Sequence, residues 1–484
     1  MKRSKHNLGH TQLFTADMGQ LVPIGCVEVL PGDTFQHATS LMVRCAPLAT
    51  PPMHPVRMAV HHWYVPTRVV FPEFENFITG GPDGLDDTVF PTININNAAV
   101  GSLADYLGVP PSVASARAVS AIPFRAYAKI YNENYRDQDL MVELPISTDP
   151  GPDSTTSTTL QKVAWEKDYF TTCRPWEQKG PTLTLPIGTS APIVSAQFSN
   201  PSGSGTSKVP GSTSANPSGS AGAYRWGGPG ADNALYADLS AATGVDLNTV
   251  REYFGLQRYY EARARYGSRY TEYLRYMGVV SSDARLQRPE YLGGGRQTIA
   301  FSEVLQTGAT DSSPDGVGQL YGHGIGGLRS NRYRKFFEEH GYVISVAYVL
   351  PQTMYPQGLF RHWNRRTKED FFQMELAHIG QQAVLNKEIY SAHSTPDGTF
   401  GYQDRYDEYR RSESQVHGEF RTLLDDWHFA RLFASSPTLN SDFVTANPAK
   451  RPFQSQSTNV LWCAARHQLV ARRIVPQVGT SFLK

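Results

Sequence analysis

The run at 56–71, VRMAVHHWYVPTRVVF, limits the fold of this chain more than any other stretch. It is dense in β-branched and aromatic residues and has strand length, short of a membrane span. Two runs of similar character lie far downstream, GYVISVAYVL at 341–350 and VLWCAARHQLVARRIV at 460–475. Segment 22–46 adds to them. Its Val27, Val29, Phe35, Leu41 and Val43 fall near alternate positions, and Pro31-Gly32-Asp33 turns between two runs. QTIAFSEVLQT, at 297–307, reads as a further strand. Strands this far apart in sequence are expected to pair in one β-core, with the intervening chain carried as insertions.

The insertions have their own patterns. SLADYL at 102–107 predicts a helical turn capped by Ser102, and FRAYAKIYNENYRD at 124–137 places Tyr127, Tyr131 and Tyr135 every four residues, as in a helix. Segment 369–390 reads as helical in part. The densest arrangement runs from Arg251 to Gly295. Leu247, Val250 and Phe254 form a helical stripe with Asp246 as cap, Gly267 breaks it, and Ser268 caps a second helix through Tyr270, Leu274 and Met277. Arg258, Arg263, Arg265, Arg269 and Arg275 interleave with tyrosines. Glu252, Glu261 and Glu272 cancel much of their field, which favours a packed helix pair over a nucleic-acid face. Residues 283–295, with Pro289 and three closing glycines, read as a tightly specified loop.

Segment 188–230 is rich in Ser, Gly and Pro, and Lys208 and Arg225 are its only charges. Such a run cannot offset its ordering entropy by apolar burial, so it is a linker or a functional surface loop. Tyr224, Arg225 and Trp226 near its end are the bulky groups a partner would touch.

Composition excludes several classes. Lys and Arg number 45 against 44 Asp and Glu, which argues against a dedicated polycationic DNA binder but not against a shell with one basic face. Local basic clusters remain. Lys2, Arg3 and Lys5 form an N-terminal arm that either tracks phosphates or is simply solvated. Arg361, Arg365 and Arg366 surround Trp363, as surface or interface charges or as a genome contact. His61 and His62 are successive strand residues and face opposite ways, so they cannot readily share a metal. Four cysteines, Cys26, Cys45, Cys173 and Cys463, form no CxxC pair and suit a reduced protein made in a cytoplasm. Gly322-His323-Gly324-Ile325-Gly326-Gly327 matches GxGxxG, but a loop precedes it where a dinucleotide site needs a strand. No nucleophile-elbow, zincin or P-loop signature is present. No cofactor, metal or catalytic residue is expected, nor a signal peptide or a transmembrane run. Two rivals remain. One is a glycosidase with two carboxylates distant in sequence; the other is a β-rich adhesin, which calls for a secretion signal or stalk.

RYTEYLRYMGV followed by SSDARLQRPEYLGGG resembles the most characteristic block of the major capsid protein of microviruses, in the gokushovirus-like branch of single-stranded DNA bacteriophages. Further blocks match in the same order: DMGQLVP at 17–23, EVLPGDTF at 28–35, IPFRAY at 122–127, NYRDQ at 134–138, QAVLNKEIY at 382–390, DWHFA at 426–430 and PTLN at 437–440. The resemblance implies a mainly β protein: one eight-stranded antiparallel jelly roll of viral-coat type over 1–484, with long helix- and loop-containing insertions. It implies a T=1 icosahedral shell of identical subunits, assembled in the host bacterial cytoplasm, around circular single-stranded DNA. Its other partners would be a small basic internal DNA-binding protein, an internal scaffolding protein during assembly, and a host cell-surface receptor, with no membrane. Segment 188–230 corresponds to a surface insertion near the threefold axis. Lys2, Arg3, Lys5, Arg361, Arg365 and Arg366 are the candidates to face the DNA; Lys208, Tyr224, Arg225 and Trp226 are the candidates for host contact.

Overall fold

The three runs expected to be strands are strands, and they share one sheet. A computed structural model describes residues 3–96, 98–111, 117–181, 183, 193–194, 236–237, 247–267, 269–283, 285–305 and 320–477. Among them, ten strands form a single antiparallel sheet. They are β1 (Ser4–Asn7), β2 (His10–Ala16), β3 (Val22–Val29), β4 (Thr34–Cys45), β5 (Val56–Pro66), β6 (Glu290–Leu305), β7 (Leu320–Arg329), β8 (Tyr333–Phe336), β9 (Gly341–Pro351) and β10 (Leu461–Arg473). Eight follow the order β1-β10-β4-β7-β6-β5-β9-β3, while β2 adds to β10 and β8 to β4.

β6 turns the sheet on itself. Its first part, Glu290 to Ile299, pairs with β5, and its last, Ala300 to Leu305, pairs with β7. The two halves therefore face each other across a core that includes Ile24, Val43, Val60, Ile299, Val349 and Ala465. This is a jelly-roll arrangement.

The glycines expected to form a loop at 293–295 belong instead to β6. A side chain at Gly294 would place Cβ 2.3 Å from the Val60 carbonyl, so only glycine lets β6 lie this close to β5. The GxGxxG run is likewise strand, in β7. Gly322, Gly324 and Gly326 face inward at period two, and a Cβ at each would meet Leu48, Cys45 or Met58 within 2.9 Å. The glycines admit neighbouring side chains; they do not cradle a phosphate. Segment 369–390 is helical in part, as expected, but only in single turns. It holds only short turns at Lys368–Asp370, Glu375–His378 and Asn386–Ile389, and a strand, Gln381–Leu385, paired with Thr399–Asp404. Gly380, at φ 52°, separates the second turn from that strand.

The two halves of the sheet differ on their outer faces, and the sequence shows why. β9 is buried along nearly its whole length, matching its continuous apolar run. Its outward side chains Ile344 and Val346, with Trp63 and Val65 of β5, pack against helix α1 (Ile122–Asn134). α1 is anchored by Arg125, fully buried, whose Nε donates to Asp153 Oδ2 at 2.8 Å while its other nitrogens donate to the carbonyls of Val70 and Asp149. β10 alternates instead, and among the described residues no helix packs over its polar side.

His61 and His62 do point opposite ways. His61 bonds Tyr135 at 2.7 Å on the α1 side. His62 enters the core of the curl, against Ser345 and Ser330. Its ring lies 4.6 Å from that of His37, and His37 continues a directional chain. The Tyr333 hydroxyl donates to His37 Nδ1 (3.1 Å), His37 Nε2 to His467 Nδ1 (3.1 Å), and His467 Nε2 to the Ile24 carbonyl (2.5 Å). Every link uses a neutral imidazole.

The chain divides into two compact units, 1–177 with 264–484, and 178–263. The larger holds the jelly roll, α1 and the helix Tyr270–Tyr276. Asp246 and Ser268, the expected caps, lie outside the described residues, and Glu272 accepts from the Arg269 N–H at the start of that helix. In the smaller unit, Ile193–Val194 pairs with Tyr236–Ala237, and the helix Leu247–Tyr266 begins there.

Candidate nucleic-acid interface

The uncovered face belongs to β1, β2, β10, β4, β7 and β8. Strand register sets it out in rungs, because residues directly opposite one another point the same way. Thr15, Trp462, Arg44 and Ile325 form one rung across β2, β10, β4 and β7. Leu13, Ala464, Met42 and Gly327 form the next, then Thr11, Arg466, Ser40 and Arg329. Across β1, β10, β4 and β8 the rungs are Asn7, Val470, Gln36 and Arg334, then Lys5, Arg472, Thr34 and Phe336.

None of these six strands contains Asp or Glu. Six cations stand on their outer face: Lys5, Arg44, Arg329, Arg334, Arg466 and Arg472. None of the six makes an ion pair among the described residues. The next residue along β10 shows the contrast: Arg473 points inward and binds Asp33, Nη2 to Oδ2 at 2.7 Å. Arg3 extends the face. Its guanidinium lies 5.4 Å from the Phe336 ring centre and donates to the Gly32 carbonyl. Arg332 donates to Gln36. Large apolar groups stand between the cations: Leu13, Met42, Ile325, Phe336 and Trp462, the last 49% exposed. Unpaired cations interleaved with exposed rings make a surface that tracks phosphates and stacks bases without reading sequence.

The structure separates the two basic clusters singled out from sequence. Arg3 and Lys5 lie on this face; Lys2 is outside the described residues. Arg361 and Arg365 lie elsewhere, tied into carboxylates. Arg361 Nη1 is 3.2 Å from Glu388 and its Nε 3.6 Å from Glu408, while Arg365 approaches Glu408 at 3.6 Å and lies 4.4 Å from the Tyr409 ring centre. Burial raises the Glu388 carboxyl above its ordinary range, and Arg361 opposes that rise. Arg366 is exposed, with its guanidinium on the carbonyls of Trp363 and Arg365. Lys208, Tyr224, Arg225 and Trp226 fall outside the described residues.

The sequence pattern did not single out Arg44, Arg329, Arg334 or Trp462 as members of one surface. The available signal was strands that alternate and carry Arg yet lack any Asp or Glu.

A curled antiparallel sheet, helix-covered on one outer face and cationic on the other, is a jelly-roll architecture, a class to which viral coat subunits belong. Residues 1–483 match the family described as Capsid protein (F protein), and the chain belongs to that family. Capsid protein VP1 of Bdellovibrio phage phiMH2K is 36% identical over 481 residues, covering 92% of this chain and 88% of its own length. Capsid protein VP1 of Chlamydia phage 1 is 34% identical over 538 residues, with 92% and 90% covered, and that of Spiroplasma virus 4 is 32% identical over 486, with 91% and 87% covered. The protein is thus a structural capsid protein of the virion, an oligomeric shell component and not an enzyme. No helix among the described residues is long and apolar enough to cross a membrane.

Proposed function

We propose that this chain is the subunit of a T=1 icosahedral shell that encloses circular single-stranded DNA, with the carboxylate-free face of β1, β2, β10, β4, β7 and β8 turned toward the genome. One observation carries the reading: six outward cations on strands that contain no acid. A phosphate backbone neutralises such a face, and binding of this kind weakens as salt rises. Among the sequence candidates, Arg3 and Lys5 join this contact, with Lys2 extending the arm. Arg361 and Arg365 serve as internal ion pairs, and Arg366 remains an exposed cation beside them. Assembly in the host cytoplasm with an internal scaffolding protein, and a small basic internal protein sharing the DNA, fit a subunit whose own net charge is only +1. Segment 188–230 fits an exposed insertion near the threefold axis, with Lys208, Tyr224, Arg225 and Trp226 as contacts for a host receptor.

DNA retention over a salt series tests the assignment. Particles carrying Arg329→Ala and Arg466→Ala are expected to release DNA at lower salt than the parent, and particles carrying Arg365→Ala and Arg366→Ala to match it. The opposite ranking would move the genome contact to the second cluster.

A further inference from the structure

Ala464 is a small side chain in the middle of this face, and larger groups stand around it. Leu13 and Met42 flank it on the same rung, and Trp462 and Arg44 stand on the rung beside it. The turn Leu103–Tyr106 supplies a further wall, held to β2 by the Tyr106 hydroxyl, which donates to the Thr15 carbonyl at 2.6 Å. The result is a pocket of about 560 Å³ with Ala464 in its lining. That is within the roughly 300–1,000 Å³ of small-molecule sites.

We propose that this pocket receives a single unpaired base of the DNA strand, stacked on Trp462, with the adjoining phosphate on Arg44. The inference rests on the genome-facing reading and names a fixed point within it. Charge selects the occupant. Arg44 lies in the wall, Arg466 and Arg329 continue the cationic track two rungs away, and the strands add no carboxylate. The one acid in the lining, Asp105, is engaged by the backbone of its own turn, accepting from the Gly101 N–H at 2.8 Å. The apolar lining of Leu13, Met42 and Trp462 has no cationic preference, so an anionic strand with flat apolar bases fits both the walls and the rim. Stacking of this kind tolerates any base, so the pocket would hold the strand at repeated positions without selecting a sequence.

Ultraviolet cross-linking of the full-length protein to poly(dT), with the adducts mapped by mass spectrometry, tests the pocket. Nucleotide adducts are expected on the peptide containing Trp462. Trp462→Ala should abolish them and weaken poly(dT) binding about tenfold, the loss of one base–aromatic stack, and Trp462→Phe should restore most of the affinity. Trp462 is half exposed, so an unchanged unfolding midpoint in both variants checks that the fold is intact. Adducts confined to peptides bearing Arg329 and Arg466, with Trp462→Ala binding like the parent, would overturn the pocket and leave the genome-facing surface standing. Absence of poly(dT) binding altogether would overturn both. If Trp462→Ala lost a protein partner from purified particles while poly(dT) affinity stayed unchanged, the occupant would be a peptide side chain and the proposal would fall.

Discussion

Acid should loosen this subunit through its buried histidines. His37, His62 and His467 meet inside the curl of the sheet. Burial, reinforced by the neighbouring histidines, lowers His37 to about 3 and His62 well below its ordinary value of 6.5. Burial also lowers His467 to about 4; its bond to Ile24 opposes this and His10 adds to it. The other titratable groups bearing on the trio are His10, His61 and Tyr333, so among the described residues no carboxylate compensates a new proton there. In the unfolded chain these rings take up protons near pH 6.5; in the folded chain His37 resists until about pH 3 and His467 until about pH 4, and burial holds His62 well below its ordinary value. Their contribution is therefore intact above pH 6.5 and is lost as the pH falls toward 4. For one ring held at about 4, going from pH 7 to pH 5 removes about 2 kcal/mol of folding stability. The hydrogen-bond chain gives the structural reason. A proton on His467 Nδ1 would confront the donor His37 Nε2–H, 3.1 Å away, leaving the Thr39 hydroxyl at 2.9 Å as its acceptor. Urea unfolding of the purified protein at a series of pH values, followed by tryptophan fluorescence, measures the effect. His467→Gln is expected to be less stable at pH 7 but to lose about 2 kcal/mol less between pH 7 and pH 5. Other titrating groups are common to both proteins and cancel in the comparison. Equal acid losses in the two proteins would refute the argument.

Three further outcomes are expected. Asp153→Ala strands the buried Arg125 charge and should cost about 3–5 kcal/mol in denaturant unfolding, with Arg125→Met in the same chain recovering much of the loss; a deficit below about 1 kcal/mol would contradict the burial of the pair. Gly324→Val should cost at least about 1–3 kcal/mol because its Cβ would sit 2.8 Å from the Cys45 sulfur, while Gly327→Val, where nothing lies within 4 Å, should be tolerated; equal midpoints would refute the inward and outward assignment of β7. Deletion of Ser199 through Ser218 should leave spherical particles intact in negative-stain images while reducing attachment to cells, because that run has few apolar anchors. Loss of particles would reassign the segment to assembly.

Much of the β-core was legible because its strands carry local signals. β5 and β9 are apolar and β-branched, and β10 alternates, so each announced its state without reference to a partner. The curl was not legible, because it depends on β6 meeting β5 and β7 at different points along its length. The glycines of β6 and β7 misled for a related reason. Locally, clustered glycine signals a loop; here it is required by backbones and side chains from distant strands, such as the Val60 carbonyl against Gly294. The candidate interface hid for a third reason. Its six cations are scattered over five strands between residues 5 and 472, while the compact cluster from Arg361 to Arg366 drew attention although Glu388 and Glu408 had already claimed Arg361 and Arg365. A total charge near zero averages a bare basic face with acids placed elsewhere.

The placing of β10 gives the fold a built-in test of completeness. β10 lies between β4 and the N-terminal strands β1 and β2, so three early strands wait for one that is made near the end. At about 5–20 residues per second, the roughly 400 residues between β4 and β10 keep that side of the sheet unfinished for about twenty to eighty seconds. Throughout this interval β4 has an unpaired edge where β10 will lie, and β1 and β2 have no sheet to join. A chain released early would lack Trp462, Arg466 and Arg472 as well as the strand that holds Lys5 in place. Truncated products would therefore lack both the strand that completes this side of the sheet and two of the outward cations on its face.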